Sequence, residues 1–455
     1  MKRIKRVFVA NRGEIALRIV TACQELGIET VVGASEVDMN GLAARRADRA
    51  VCIGPAPAAQ SYLRDDLVVQ AALGTRCDAI HPGYGFLSES PRLASRAREH
   101  GITFVGPPAE VIGLSGDKLR AREEAARAGV PVLPGQEVAS AADARHAADE
   151  IGYPLLVKAA GGGGGRGIKL VRDGDELDGL LSLARSEAGA AFGDERLYLE
   201  RFIAAARHVE VQIVADAHGN VLHLGERDCS VQRRYQKLIE EAPAPSLDPT
   251  ARDAIREAAV RFAKAIGYRN LGTVEFVVDS ETGEAYFLEI NCRIQVEHPV
   301  TEAVTGRDLV ALQLRIADGH ALGFTQADVT LDGHAVECRL NAEDVARGFM
   351  PSPGTLSLFW VPELSGLRVD THCFPGALIP PYYDSLMAKL IAHGTDRDAA
   401  LDVLIEALED LDVEGVETNR TLLISVLGHD DFRRGAVTTD WLERALSERE
   451  ARTVN

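Results

Sequence analysis

The sequence lacks the features that mark membrane, secreted and disulfide-stabilised proteins. No run of about 18 apolar residues occurs among its 455 residues, which argues against a membrane-spanning helix. The seven cysteines are odd in number and scattered, and no pair has Cys-x-x-Cys spacing, so we expect reduced thiols and neither a disulfide nor a zinc framework. The N-terminus holds only a four-residue apolar run, which is too short for a signal peptide. These absences predict a cytoplasmic protein.

Positive charge is also scarce. The 50 basic and 68 acidic residues give a net charge of −18. This balance argues against a nucleic-acid partner and against an anionic membrane surface, because both would repel the protein. An anionic substrate would therefore need a local basic site that works against the overall field. The hydrophobic content of 46% is ordinary for a globular protein, and the length predicts roughly two to four domains.

Two common nucleotide-binding fingerprints are missing. The turn at 11–13 follows the strand-like run 7–10, but it lacks the Gly-x-Gly-x-x-Gly pattern of dinucleotide sites. Five consecutive glycines at 161–165 are not followed by Gly-Lys-Ser or Gly-Lys-Thr, so they do not form a Walker loop. A nucleotide site in this chain would need other elements.

The glycine run itself is the strongest positive signal. It lies between Lys158 and Arg166, after a short apolar run. Glycine is costly to order, and without Cβ atoms successive backbone amides can wrap phosphate oxygens. We therefore interpret the run as a cover over a nucleoside triphosphate. A flexible linker is the alternative, and the absence of serine and the strand-like run 168–171 count against it.

The order of predicted elements indicates an α/β fold. Residues 4–115 alternate short apolar strands with amphipathic helices, which is typical of a parallel sheet with helices on both faces. A small α/β lid over 131–204 would carry the glycine loop. The larger remainder is mixed, with hairpins predicted near 208–225 and 272–291.

The second of these hairpins carries charge in its strands. If it closes symmetrically about Thr282, Glu275 lies opposite Glu289, and Asn291 shares the face of Glu289. Like charges in direct opposition are unfavourable unless a cation joins them. Two carboxylates and an amide oxygen are hard ligands suited to Mg²⁺, which would also bridge nucleotide phosphates. The alternative is a solvent-facing polar side of an edge hairpin.

Polar residues become denser after the hairpin. Arg293, Gln295 and Glu297 alternate with apolar residues, so in an extended segment their side chains would point the same way. An arginine, an amide and a carboxylate on one face form a site for a small oxyanion and a general base. The segment 226–237 packs four cations into twelve residues, and a solvated charged face is its alternative interpretation. His208, taken alone, is more typical of a structural histidine.

Taken in order, several strings resemble those of biotin carboxylase, a family of the ATP-grasp superfamily. The resemblance runs from residue 4 to residue 445. The matching strings are the glycine loop and residues 10–16, 81–89, 116–118, 207–210, 226–230, 293–299, 337–339 and 382–385.

The resemblance implies a ligase with an ATP-grasp fold and two chemical steps. ATP phosphorylates bicarbonate to carboxyphosphate, which then carboxylates N1′ of biotin on a biotin carboxyl carrier protein. This is the first half-reaction of an acetyl-CoA or acyl-CoA carboxylase. The implied domains are a Rossmann-like N-terminal domain at 1–115, an ATP-grasp domain at 116–330 that includes the mobile lid 131–204, and a C-terminal domain at 331–447.

The resemblance also assigns roles to individual residues. ATP would be held by Lys118, Lys158, Gly164, Gly165 and His208, with adenine beside the hinge residues Glu200, Arg201, Phe202 and Ile203. Mg²⁺ or Mn²⁺ would be held by Glu275, Glu289 and Asn291. Bicarbonate would be held by Lys237, Arg293, Gln295 and the Val296 amide, with Glu297 as the base. Arg339 would stabilise the biotin enolate, and Tyr84 would line the biotin site.

The chain departs from the family pattern at a few positions. Tyr235 stands beside the nucleotide where most relatives have histidine, and a tyrosine cannot become cationic near neutral pH. Cys292 replaces a threonine, proline or alanine. Arg201 replaces a lysine, and its planar guanidinium is not an equal substitute.

The absence of a Met-Lys-Met biotinylation string predicts a free-standing subunit that works with a separate carrier and with carboxyltransferase subunits. The family resemblance further implies a homodimer. Two alternatives remain open from the sequence. One is another ATP-grasp carboxylate ligase, and the other is a catalytically silent nucleotide-binding subunit of a carboxylase complex.

Overall fold

The computed structural model describes residues 4–161, 168–245 and 247–453. Mixed α/β structure fills these ranges, and separate sheets carry the N-terminal region, the lid and the remainder. Among the described helices, none combines the length and the apolar character that a bilayer crossing requires.

The N-terminal region is a parallel five-stranded sheet in the order β3-β2-β1-β4-β5, with helices between its strands. The strands are β1 (Arg6–Val9), β2 (Glu29–Ser35), β3 (Arg49–Gly54), β4 (Ala79–His81) and β5 (Thr103–Phe104). The helices are α1 (Gly13–Glu25), α2 (Leu42–Arg46), α3 (Asp65–Gly74), α4 (Pro91–Glu99) and α5 (Ala109–Ser115). This arrangement confirms the predicted alternation, because apolar runs that are buried on both faces form parallel strands.

The lid is a small four-stranded sheet covered by two helices. Helix α6 (Lys118–Arg127) leads into it. Its strands are β6 (Gly135–Val138), β7 (Leu155–Ala159), β8 (Ile168–Val171) and β9 (Leu197–Arg201), in the order β6-β9-β7-β8. The helices are α7 (Ala141–Ile151), which begins with a Ser140 capping box, and α8 (Gly174–Phe192). The lid has the mixed α/β structure that was predicted, and residues 162–167 of the glycine loop lie outside the described residues.

An eight-stranded sheet in the order β14-β13-β10-β11-β12-β15-β22-β20 forms the centre of the molecule. Its strands are β10 (Ala206–Ala215), β11 (Val221–Arg233), β12 (Gln236–Ala242), β13 (Asn270–Asp279), β14 (Ala285–Asn291), β15 (His334–Asn341), β20 (Leu367–Thr371) and β22 (Leu386–Gly394). Helices α9 (Pro249–Ala265), α10 (His298–Thr305) and α11 (Leu309–Ala317) connect them. The sheet continues across the predicted boundary at 330, and the division into domains stays a prediction.

Short strands and helices complete the C-terminal region. The strands are β16 (Glu343–Asp344), β17 (Met350–Pro351), β18 (Gly354–Thr355), β19 (Leu358–Trp360), β21 (Leu378–Ile379) and β23 (Asp412–Glu414). The helices are α12 (Arg397–Asp410), α13 (Arg420–Leu427), α14 (Asp430–Arg433) and α15 (Trp441–Thr453), with single 3₁₀ turns at Ala58–Gln60, Gln326–Asp328 and Val345–Arg347.

One expectation about local structure is wrong. The segment after β14 is not extended throughout, because 296–297 form a turn that leads into α10. Proline at the start of α10 is compatible with a helix, since its missing N–H needs no partner there. Helix α11 begins at Leu309, after Asp308 caps its first turn.

Candidate active site

A cavity of about 930 Å³ opens between the N-terminal sheet, the lid and the central sheet. All of the predicted site residues within the described ranges contribute to its lining. They are Tyr84, Lys118, Lys158, Glu200, Arg201, Phe202, Ile203, His208, Tyr235, Lys237, Glu275, Glu289, Asn291, Arg293, Gln295, Val296, Glu297 and Arg339. Gly164 and Gly165 lie outside the described residues. The fold therefore gathers residues that are up to 255 positions apart in the sequence, from Tyr84 to Arg339.

Lys237 of β12 lies at the centre of the polar side of this cavity. Its ammonium donates to Glu210 (2.6 Å), Glu275 (3.0 Å) and Glu297 (2.7 Å). Burial lowers the pKa of Lys237, but the three carboxylates outweigh burial and the net pKa lies well above its usual value. The ammonium is therefore charged at neutral pH and concentrates three acidic groups around one donor.

Glu297 lies between two cations. Besides Lys237, Arg339 donates to its second oxygen over 3.0 Å, and its side chain is almost fully buried. Burial raises the pKa of Glu297, but Lys237, Arg339 and Arg227 outweigh this and hold the pKa well below its usual range. The group is therefore an ionised carboxylate at neutral pH, which is the form that can accept a proton.

Glu210 and Glu240 were missed by the sequence analysis. Glu240 accepts from Arg339 Nε over 2.7 Å, and burial, partly offset by Arg339, raises the pKa of Glu240 to about 7. Glu210 accepts from Arg227 (2.6 Å) as well as from Lys237. Alternation along β12 would not have found Glu240, because it is three residues beyond Lys237 and an ideal strand places such residues on opposite faces. The ladder between β11 and β12 shifts register near Lys237, which sequence spacing does not reveal.

The charged hairpin contains the predicted pair of carboxylates, although its ladder shifts register between Glu275 and Phe276. Glu275 of β13 lies opposite Glu289 of β14, and Asn291 donates to Glu275 over 2.8 Å. Glu275 and Asn291 are buried at the cavity, so the interpretation of a solvent-facing hairpin side is wrong. Lys118 lies 3.0 Å from Glu289, and His208 Nε2 lies 2.9 Å from Glu275.

Cations explain why these opposed carboxylates are tolerated. Burial lowers the pKa of His208, but Glu275 outweighs burial and the net pKa is raised. His208 thus contacts a carboxylate at the cavity wall. The oxygens of Glu275, Glu289 and Asn291 form a hard donor set, which fits a divalent cation.

The residues that follow the hairpin share the cavity although they are not extended. Arg293 donates through Nη1 to the Gln295 side chain (2.7 Å) and through Nε to Glu89 (3.0 Å). Gln295 in turn donates to Glu275 over 3.2 Å. Helix α10 starts directly after Glu297, so the turn at 296–297 points the Glu297 side chain to Lys237.

Two of the four cations in 226–237 are not on a solvated face. Arg227 is fully buried and donates to Glu210, Gln212 (2.8 Å) and Thr301 (3.0 Å). Lys237 is the central donor described above. The interpretation of this segment as a solvated charged face is therefore wrong for both residues.

The lid side of the cavity carries a second buried ion pair. Lys158 of β7 contacts Glu200 of β9, to which Arg122 also donates over 2.7 Å. Lys158 and Glu200 are both about 95% buried, and antiparallel pairing of their strands brings them together. The hinge residues 201–203 follow directly at the cavity edge. Arg122 was missed, since its position on α6 has no pattern that points to Glu200.

Comparison with known proteins identifies the class. The biotin carboxylase N-terminal domain matches residues 3–112, the ATP binding domain of the carbamoyl-phosphate synthase L chain matches 117–325, and the biotin carboxylase C-terminal domain matches 337–444. Together with the lid and the cavity, these matches define an ATP-grasp ligase.

Similarity to individual proteins is spread over nearly the whole chain. The chain is 50% identical to biotin carboxylase of Pseudomonas aeruginosa, covering 97% of this chain and 99% of that protein. It is 48% identical to biotin carboxylase 1 of Bacillus subtilis, covering 97% and 98%. The biotin carboxylase domain of Hydrogenobacter thermophilus 2-oxoglutarate carboxylase, solved as a dimer with MgADP, ADP and bicarbonate, superposes with a TM-score of 0.94 at 47% identity, covering 98% of both chains. This chain belongs to the biotin carboxylase family, and it is an enzyme that carboxylates biotin at the expense of ATP.

Proposed function

We propose that this enzyme catalyses the first half-reaction of an acetyl-CoA or other acyl-CoA carboxylase, with bicarbonate as the carbon source and carboxyphosphate as the intermediate. One observation carries the proposal. Glu297 is an ionised, buried carboxylate that accepts from both Lys237 and Arg339, in a cavity that also contains Lys118 and Lys158. The proposed base, its two cations and the two lysines that would bind phosphate thus line one cavity.

The lid end of the cavity is assigned to ATP. Lys118 and Lys158 would bind its phosphates, and their present partners Glu289 and Glu200 keep both ammonium groups aimed into the cavity. His208 would lie beside the nucleotide, and the hinge residues 200–203 would contact adenine. Gly164, Gly165 and the rest of the glycine loop would complete the phosphate site through backbone amides. Phosphoryl transfer depends on such positioning and charge neutralisation more than on covalent chemistry.

The charged hairpin is assigned to Mg²⁺ or Mn²⁺. Glu275 and Glu289 face each other across the ladder, Asn291 adds an amide oxygen, and all three offer the hard donors that such a cation prefers. When bound, the cation would neutralise phosphate charge during transfer. Lys118 and Lys237 already balance these carboxylates, so the hairpin tolerates two acidic groups in opposition.

The turn side of the cavity is assigned to bicarbonate. Lys237, Arg293, Gln295 and the Val296 amide would hold the anion, and Glu297 would take its proton. One bicarbonate oxygen then bonds to the γ-phosphorus as the bond to the ADP oxygen breaks. The cations Lys237 and Arg293 offset the second negative charge that deprotonation creates.

Biotin is assigned to the open side of the same site. Arg339, which donates to Glu297 over 3.0 Å, would stabilise a negative ureido oxygen. N1′ would lose its proton to the departing phosphate and bond to the carboxyl carbon as the bond between that carbon and the phosphate oxygen breaks. Tyr84 would line this part of the cavity. Carboxyphosphate reacts with water, so closure of the lid over 131–204 would serve to exclude it.

The proposal extends to partners and organisation. We expect a separate biotin carboxyl carrier protein and carboxyltransferase subunits, a homodimer, and domains at 1–115, 116–330 and 331–447. The H. thermophilus domain forms a dimer, which supports the homodimer. The seven cysteines of the chain are free, which agrees with a reducing, cytoplasmic location.

The test is ADP release from MgATP, measured with and without bicarbonate and with and without free biotin. The proposal expects ADP release that requires bicarbonate and rises with biotin. Another ATP-grasp carboxylate ligase would show no bicarbonate requirement, and a silent nucleotide-binding subunit would show no turnover. Either of these two results would overturn the proposal.

A further inference from the structure

The turn at 11–14 makes contacts that the proposed chemistry does not use. Asn11 is buried and donates through Nδ2 to the carbonyls of Pro82 (2.6 Å) and Tyr84 (2.7 Å). Glu14, also buried, accepts from the Tyr84 hydroxyl. Gly83 has a positive φ of 63°, and a Cβ there would lie 2.9 Å from Asn11 Nδ2, so this tight approach requires glycine. Residues 82–84, the Tyr84 loop, are thus held through two backbone carbonyls and through the Tyr84 hydroxyl.

The same set of contacts includes Lys389 of β22, whose side chain is fully buried. Its ammonium lies 3.2 Å from Glu14 and donates to the carbonyl of Val296 over 2.8 Å. Burial lowers the pKa of Lys389, but Glu14, Glu337 and Asp370 outweigh burial and the net pKa is raised. The amine is therefore protonated and has hydrogens for both bonds.

A charge at this depth needs a reason. An ammonium group inside a protein loses its hydration, and a well-packed apolar side chain of similar volume often serves stability as well or better. What an apolar residue cannot do is hold the Val296 carbonyl, which lies in the turn immediately before Glu297. The same ammonium fixes Glu14 and, through it, the Tyr84 ring.

We propose that Glu14 and Lys389 are positioning residues that set the distance between the Tyr84 loop and the turn 295–297. The inference rests on the proposed function, because it assigns Tyr84 to the biotin side and the turn to the bicarbonate side. Since the Tyr84 hydroxyl is bound to Glu14, this residue presents its ring rather than a free hydroxyl to the substrate. The biotin side and the bicarbonate side of the site are then held at a fixed separation, and both Glu14 and Lys389 are needed to hold it.

The test replaces Lys389 by methionine in the full chain. Arg397→Met is the matched control, because Arg397 is a partly buried cation that binds Glu241 (2.6 Å) and two main-chain carbonyls without lining the cavity. For Lys389→Met, the kcat of biotin-stimulated ADP release, counted per molecule that binds nucleotide, should fall about 10- to 100-fold, because a small misplacement of reacting groups lowers the rate by about this factor. The KM for ATP should stay within about twofold of the wild-type value. The control should keep kcat within about twofold despite a comparable fall in melting temperature.

Two further variants keep the test decisive if Lys389→Met does not fold. The double variant Glu14→Gln with Lys389→Met removes the charges of both partners, so Glu14 is not left as a buried carboxylate without its cation, and it should show the same loss of kcat. Glu14→Gln alone should raise KM for free biotin, while ADP release without biotin stays at the wild-type rate. Wild-type kcat and KM for biotin in these folded variants would overturn the inference. Absence of bicarbonate-dependent ADP release in the wild-type enzyme would instead overturn the proposed function.

Discussion

Replacement of Glu297 by glutamine removes the proposed base with little change in shape. The carboxylate is buried, and each of its oxygens accepts from one cation, Lys237 at 2.7 Å and Arg339 at 3.0 Å. The glutamine oxygen can still accept from one of these cations. Its amide nitrogen cannot accept from the other, and it can no longer take a proton.

The expected effects on stability and on rate differ in size. Loss of a positioned general base costs about 10²- to 10⁴-fold in rate, so we expect kcat to fall at least about 100-fold. A hydrogen bond to a charged group is worth about 1.5–3 kcal/mol against about 1 kcal/mol for a neutral one. Glu297→Gln weakens one hydrogen bond from a cation, because the acceptor becomes neutral, and it breaks the hydrogen bond from the other cation. It also relieves the repulsion of Glu297 by Glu210 and Glu275, which share Lys237, so we expect the free energy of unfolding to fall by only about 1–3 kcal/mol.

The assay measures bicarbonate-dependent ADP release together with ATP binding and thermal unfolding. Glu226→Gln is the control, since Glu226 is a buried carboxylate that also binds two arginines, Arg252 (3.0 Å) and Arg256 (2.6 Å), outside the cavity. It should lose similar stability and keep its rate within about twofold, as expected for a position away from the chemistry. A wild-type rate for Glu297→Gln, with normal ATP binding, would refute the assignment of the base.

Three further predictions concern the nucleotide side. Lys158→Met should raise KM for ATP about 10- to 100-fold, which is the equivalent of one charge-assisted hydrogen bond. The same change leaves Glu200 without its lysine partner and should lower the melting temperature. An unchanged KM for ATP would contradict the proposed role of Lys158 in phosphate binding. Glu289→Gln should raise the Mg²⁺ concentration that gives half the maximal rate by at least about 10-fold, measured by Mg²⁺ titration at fixed ATP. A fall in ATP affinity without this change would contradict the metal role and would indicate that Glu289 acts only through its ion pair with Lys118. Tyr235→His should fold and turn over, with a change in unfolding free energy within about 0.5 kcal/mol, because the residue lies exposed at a hairpin tip with a positive φ that histidine accepts; loss of the fold would contradict this.

Much of the fold follows from local pattern, and its failures have physical causes. Most strands of the first sheet and of the lid are predictable because they are short apolar runs, but β6 (Gly135–Val138) holds only one clearly apolar residue and gave no such signal. Strand β12 (Gln236–Ala242) was missed, since Lys237 and two consecutive glutamates interrupt its apolar run. Lys237 faces the cavity, whereas Glu240 and Glu241 are buried against arginines of other elements, which a strand read in isolation does not reveal. The alternation in 293–297 suggested a strand and concealed the start of α10.

The site was predictable where one hairpin or one string carries it. The pairing of Glu275 with Glu289 was predicted from symmetric closure about Thr282, and the structure has that pair. Nearer the turn the ladder is offset by one residue, with Phe276 opposite Phe287, and a register shift beside Glu275 restores the predicted pair. The partners of Glu297 could not be derived from spacing, because Lys237 and Arg339 approach it from other strands of the sheet. Lys389 gave no signal at all, since a lysine in an apolar strand reads as solvent-exposed until the sheet order is known.

The most direct measurement of the central claim follows the oxygen atoms of bicarbonate. If Glu297 activates bicarbonate for attack on the γ-phosphorus of ATP, an oxygen of bicarbonate must remain on the phosphate that is released. Turnover with ¹⁸O-labelled bicarbonate, MgATP and free biotin should therefore give ¹⁸O-labelled inorganic phosphate in proportion to the ADP formed. Unlabelled phosphate from a reaction that still releases ADP would contradict the account.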